Sequence, residues 1–94
     1  MNRDEILNTA VDIVCGRREQ EYGTPEANFA AIANLWGAYL GNAALTAQDV
    51  AAMMILFKVG RLSTGAGSAD TWVDIAGYAA CGGEIATKKD TANG

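Results

Sequence analysis

Ile6, Leu7, Ala10, Val11 and Val14 recur at three- and four-residue intervals, which predicts an amphipathic helix from about Asp4 to Cys15. A polar stretch, Gly16-Arg17-Arg18-Glu19-Gln20-Glu21-Tyr22-Gly23, follows; its first half can extend the helix, and Gly23 is the expected stop. Thr24 as cap, Pro25 at the first helical position and Glu26 at the positive helix end predict a second helix. Its buried face is expected to be Phe29, Ile32, Ala33, Trp36 and Leu40, with Gly41-Asn42 as the stop. Thr46 and Asp49 form an imperfect capping box that opens a third helix running to about Leu62. Ser63 to Ser68 reads as a loop. A fourth helix is predicted from about Ala69 to Ala86, weakened by Gly77, Gly82 and Gly83. The end from Thr87 onward is polar. No segment alternates as a strand does, so the expected class is all-α: four main helices with short connections in a compact bundle. Residues 1–88 are expected to form one helical domain and residues 89–94 a flexible polar tail.

Composition narrows the functional classes. The chain has 94 residues, 50% of them hydrophobic, and 7 Lys+Arg against 11 Asp+Glu give a net charge of -4. An acidic balance argues against direct nucleic-acid binding and against an anionic membrane surface. No apolar run reaches the roughly 18–20 residues of a membrane span, and the charged start Met1–Glu5 is unlike a signal peptide, so a cytoplasmic protein is expected. Cys15 and Cys81 lie far apart in the chain, outside any CxxC pattern, and read as small apolar residues. The lack of histidine removes the usual neutral-pH base and zinc-hydrolase chemistry. Any reaction would rest on carboxylates, Tyr, Lys or Arg with an oxygen-liganded ion such as Mg²⁺. Small Ala and Gly side chains make a thin core, so a homo-oligomer is expected.

The third helix is apolar nearly all the way round, the pattern of a central helix buried on several sides. Lys58 and Arg61 nevertheless sit three apart on it beside Met54. Cations in such surroundings must reach water or meet anions. Asp70 and Asp74 stack one turn apart on the fourth helix, and Tyr78 and Cys81 continue their strip. The strip is either an internal ion-pair network that fixes helix register or a phosphate-binding pocket. In the second case Lys58 and Arg61 would neutralise phosphate, while Asp70 and Asp74 would hold Mg²⁺ or orient the arginines. Arg18 and Tyr22, in the turn before the second helix, are placed to join that pocket. Trp36 and Trp72 read as core or subunit interface.

The residues Gly16-x-Arg18-x-x-x-Tyr22-Gly23-x-Pro25-x-x-Asn28-Phe29 and Ile32-Ala33-x-Leu35-Trp36-x-x-Tyr39-Leu40 resemble the DUF6378 family of small phage and prophage proteins. So do Asp49-Val50-Ala51-x-Met53-Met54-x-Leu56-x-Lys58-Val59-x-Arg61-Leu62 and Asp70-x-Trp72-Val73-Asp74-Ile75-Ala76-Gly77-Tyr78. That family is similar to the DUF1599 domains associated with nucleotide modification and, distantly, to MazG-like all-α nucleotide pyrophosphatases. The resemblance implies a phosphorylated nucleotide or nucleotide-derived signal as ligand of Arg18, Tyr22, Lys58, Arg61, Asp74 and Tyr78. Its catalytic version would be Mg²⁺-dependent hydrolysis to monophosphate and pyrophosphate. The paired ExxE and ExxD carboxylates of MazG-like hydrolases have no counterpart here, since Glu19 and Glu21 are two apart and the fourth helix offers Asp-x-x-x-Asp. The competing expectation is a non-enzymatic phage inhibitor that binds a host defence complex, in the manner of an anti-CRISPR protein.

Overall fold

Asn2 starts the chain's first helix by a reciprocal cap. Its side chain accepts from the Glu5 N–H at 3.1 Å, and the Glu5 carboxylate accepts from the Asn2 N–H at 3.5 Å. Helix α1 spans Arg3–Asp12 and runs into a wider π turn at Ile13–Arg17, then into the short α2, Arg18–Tyr22. The helical path thus continues beyond Cys15 into the polar stretch, as its first half allows, and runs through the second half as well, to Tyr22. Gly23 stops it at φ 79°, a left-handed conformation that a side chain disfavours. This computed structural model describes residues 1–42, 44–65 and 67–93, with the backbone alone for 89–93. Among them every regular element is helical.

Helix α3 spans Pro25–Leu40, and the Thr24 hydroxyl accepts from the Ala27 N–H at 3.3 Å, as its sequence predicts. Phe29 and Ala33 are buried, and Ile32 and Trp36 pack beside them. Leu40, expected inside, is exposed. The chain folds back so that the Asn42 N–H donates to the Gly37 carbonyl at 2.8 Å. That return covers Gly37 instead and leaves the last helical residue outside.

Helix α4 spans Ala47–Ser63. The Thr46–Asp49 box is complete: the Asp49 carboxylate accepts from the Thr46 N–H at 2.9 Å and the Thr46 hydroxyl accepts from the Asp49 N–H at 3.1 Å. Helix α5 spans Ala69–Asn93, well past the predicted Ala86. Beyond that point Lys88 Nζ lies 3.0 Å from Glu26 Oε1 on α3, which ties the extension down. Of the loop read at Ser63–Ser68, Ser63 belongs to α4, and Ala66 lies outside the described residues, as does Gly94 in the tail.

The central helix is α5, not α4. Helix α5 packs against α1, the π turn, α3 and α4, whereas α4 meets only α3 and α5 among the described elements. The glycines that weaken α5 as an isolated helix explain its place. A Cβ at Gly77 would lie 3.1 Å from Val14 Cγ1, and one at Gly82 would lie 3.0 Å from the Ala51 Cβ. Bare backbone lets the π turn and α4 come that close. The core is correspondingly small: Phe29, Ala33, Val50, Ala51 and Cys81, fringed by Val14, Trp36, Met54 and Tyr78. With no described element on its far side, α4 leaves Met53, Leu56, Phe57 and Val59 exposed, contrary to its expected burial. No helix is long and apolar enough to cross a membrane among the described residues.

Candidate functional site

The π turn sets the geometry of the site. It carries the helical path on from α1 so that Arg18, Glu19 and Tyr22 of α2 face the middle of α5 across a cavity. The recess holds about 60 Å³ and opens into a cleft of about 560 Å³ counted out to solvent. Val14, Phe29, Val73 and Cys81 give it an apolar floor, and Gly77 leaves the floor open where a side chain would fill it. Polar groups stand around this floor. They are Arg18, Glu19 and Tyr22 from α2, Asn28 from α3, and Asp74 and Tyr78 from α5.

The aromatic rings are arranged against one another and against a cation. Phe29 and Tyr78 lie with ring centroids 6.1 Å apart and planes tilted by 35°, a separation within the favourable range for aromatic pairs. The Arg18 guanidinium carbon lies 5.2 Å from the centre of the Tyr22 ring, a cation–π contact. Burial pushes the Cys81 thiol above its ordinary value, with nearby Glu84 adding to the effect. Cys81 is therefore an apolar surface of the cavity floor at neutral pH. Cys15, expected to be a small buried residue, is exposed, since it falls on the outer side of the π turn.

Four of the six residues expected to bind a ligand line this cavity: Arg18, Tyr22, Asp74 and Tyr78. Lys58 and Arg61 do not. Lys58 reaches the cavity wall only through Asp74, with Nζ 2.9 Å from Oδ2, while Arg61 is exposed to solvent. Asp70 is exposed too and lies outside the lining. The strip thus divides into an ion pair that joins α4 to α5 and a cavity on the other side of Asp74. Phe29, expected on the buried face of its helix, also lines the cavity, as do Asn28 and Glu19, which periodicity does not single out. The one signal available for Asn28 is its place in the shared pattern, beside the buried Phe29.

The donor set does not suit a protein-held metal ion. Asp74 is committed to Lys58, Asp70 stands off the cavity, and no cluster of three or more metal-ligating side chains is present among the described residues. Trp72 is exposed and Trp36 packs on the core.

Comparison with known proteins places this arrangement in a family. The model of the domain of unknown function DUF6378 matches residues 5–86. The chain belongs to this family. Two curated relatives are similar to it, both called Gene 55 protein. That of Mycobacterium phage L5 is 50% identical over 74 residues, covering 79% of this chain and 47% of the relative. That of Mycobacterium phage D29 is 38% identical over 78 residues, covering 83% of this chain and 51% of the relative. The DUF6378 chain spans about half the length of these relatives. No solved structure matches it. The matched segment contains the whole cavity lining, from Ala10 to Cys81.

Proposed function

We propose that the cavity of this DUF6378 domain binds a phosphorylated nucleotide or nucleotide-derived signal, ring inward and phosphate outward. The carrying observation is that Arg18, Tyr22, Asn28, Asp74 and Tyr78, from three helices, converge on one apolar recess. An apolar floor with a few convergent polar groups is the common make-up of a small-molecule site. Three aromatic rings suit a planar heterocycle, and Asn28 and Asp74 offer hydrogen-bond groups for its edge. Arg18 supplies the cation for phosphate, its guanidinium already steadied on Tyr22. The recess takes the edge of a ring, and the remainder of the ligand lies in the open cleft. Because Lys58 is neutralised by Asp74, Arg18 is the cation left in the lining, and Glu19 beside it offsets part of its charge, which favours a ligand with few phosphates over a triphosphate. The resemblance to nucleotide-modification-associated and MazG-like domains points to the same ligand class. Asp70, exposed and outside the lining, and Asp74, paired with Lys58, do not make a Mg²⁺ site by themselves.

A thermal-unfolding panel of nucleoside mono-, di- and triphosphates, with and without Mg²⁺, tests this. A ligand at a hundredfold excess over its Kd adds about 2.7 kcal/mol of stability. The expected result is an upward shift with a monophosphate-type ligand that is lost in Arg18→Gln and Tyr78→Ala and kept in Arg61→Gln and Asp70→Asn. No shift at millimolar ligand with the protein folded, or a shift that depends on Arg61 and not on Arg18, overturns it.

A further inference from the structure

The polar groups that line the cavity sort by depth. Arg18, Glu19 and Tyr22 are exposed, whereas Asn28, Asp74 and Tyr78 are half-buried beside the apolar floor. With phosphate held at Arg18, the inner three are left to meet the base. Two of these adapt to whatever faces them, because a carboxamide and a phenol each donate and accept. The Asp74 carboxylate only accepts. It is therefore the inner group that fixes the sense of the edge it meets.

Asp74 and Tyr78 stand four residues apart on one face of α5, about 6 Å along its axis. A heterocycle lying against the Tyr78 ring, itself backed by Phe29 with centroids 6.1 Å apart, carries its edge to the Asp74 carboxylate. Lys58 Nζ, 2.9 Å from Oδ2, balances a charge that would be costly to hold unpaired in this half-buried place. It does not use the carboxylate up. An ionised carboxylate has roughly four lone-pair sites, and the Asp74 side chain is still 38% exposed with Lys58 in place.

We propose, resting on the nucleotide reading of this cavity, that the base is guanine and that Asp74 selects it by accepting from its N1–H and its N2 amino group. Guanine is the common base with two adjacent N–H donors on its pairing edge. Adenine and cytosine set their amino group beside a ring nitrogen that accepts, and uracil and thymine set one N–H between two carbonyls. Each of these turns a lone pair towards a carboxylate that has no proton to give. Asn28 and Tyr78 supply donors for the guanine O6. Hydrogen bonds to a charged acceptor are the strong ones, and a site built for a donor edge rejects a ligand that lacks it.

Isothermal titration of the full chain with GMP, AMP, CMP and UMP tests this, together with IMP, which keeps the N1–H and O6 of guanine and lacks its amino group. GMP should bind at least ~10-fold more tightly than each of the others. Asp74→Asn should erase the advantage of GMP over IMP and favour XMP, whose carbonyl replaces the amino group and accepts from the new carboxamide. The double variant Lys58→Met, Asp74→Asn removes the cation that the single change leaves unpaired, and should show the same reversal. GMP binding no tighter than AMP or IMP in the parent chain overturns the guanine assignment and leaves the nucleotide reading standing. An equal loss of every nucleotide in Asp74→Asn puts Asp74 at the sugar and also overturns it. Binding of none of these nucleotides at millimolar concentration sinks the nucleotide reading, and the guanine assignment with it.

Discussion

Lys58 on α4 and Asp74 on α5 meet at 2.9 Å, and this one contact both joins two helices and forms part of the cavity wall. The lysine side chain is 17% exposed and the carboxylate 38%, so the pair lies between a solvated bridge and a buried one. A double-mutant cycle with Lys58→Met and Asp74→Asn should give a coupling of about 1–2 kcal/mol in urea unfolding. A coupling near zero would mean that the pair is only a surface encounter.

Glycine substitutions should separate by the space around each position. A Cβ at Gly83 would meet nothing, whereas one at Gly37 would come 2.6 Å from the Asn42 backbone oxygen. Gly83→Ala should therefore stabilise by up to about 1 kcal/mol through helix propensity. Gly37→Ala should destabilise by about 1–3 kcal/mol through crowding against backbone. Denaturant midpoints at constant m-value check both.

The Glu26–Lys88 bridge gives the α5 extension a pH window. The Lys88 hydrogen bond holds the Glu26 carboxyl below its ordinary 4.5, and the same contact holds Lys88 above its ordinary 10.5. The carboxyl contributes above 4.5, and its contribution is lost as pH falls through the folded value. The ammonium contributes below 10.5, and its share is lost as pH rises through the folded value. Lys88→Met should lower Tm slightly at neutral pH, and the difference should vanish in strong acid and strong alkali. Both groups are solvated, so high salt should shrink it as well.

The two thiols should react in sequence. Cys15 is exposed, while Cys81 is buried with its thiol shifted upward. A thiol reagent under native conditions should modify one cysteine per chain quickly, and both in denaturant. Cys15→Ser should abolish the fast phase. Protection of the slow phase by a nucleotide would place that ligand over Cys81.

The helix starts were legible because each rests on local chemistry: Thr24 before Pro25 and Thr46 before Asp49 are capped as their spacing requires. The order of burial was not. Apolar residues all round α4 suggested a central helix, yet the weaker-looking α5 holds the centre because Gly77 and Gly82 admit neighbours there. Periodicity registers side chains and misses the advantage of having none. Lys58, Asp74 and Tyr78 were brought into one neighbourhood by helical spacing alone. Arg61 was misgrouped because three residues along a helix still leave about 60° between directions, enough to send one cation to Asp74 and the other to water. Asn28 belongs to a contact between helices far apart in the chain, which no local pattern encodes.

The π turn at Ile13–Arg17 has an outcome for how the family changes over time. Each residue advances a helix by about 100°, and π turns commonly sit where that phase has been altered within an otherwise regular helix. A π turn takes up one residue more than an α turn. Losing a single residue between Ile13 and Arg17 would therefore restore an ordinary α-helix and leave Arg18 and Tyr22 on the side that faces Asp74 and Tyr78. This stretch can gain or shed a residue while the cavity keeps its walls, which a one-residue change in the regular turns of α3 or α5 would not allow.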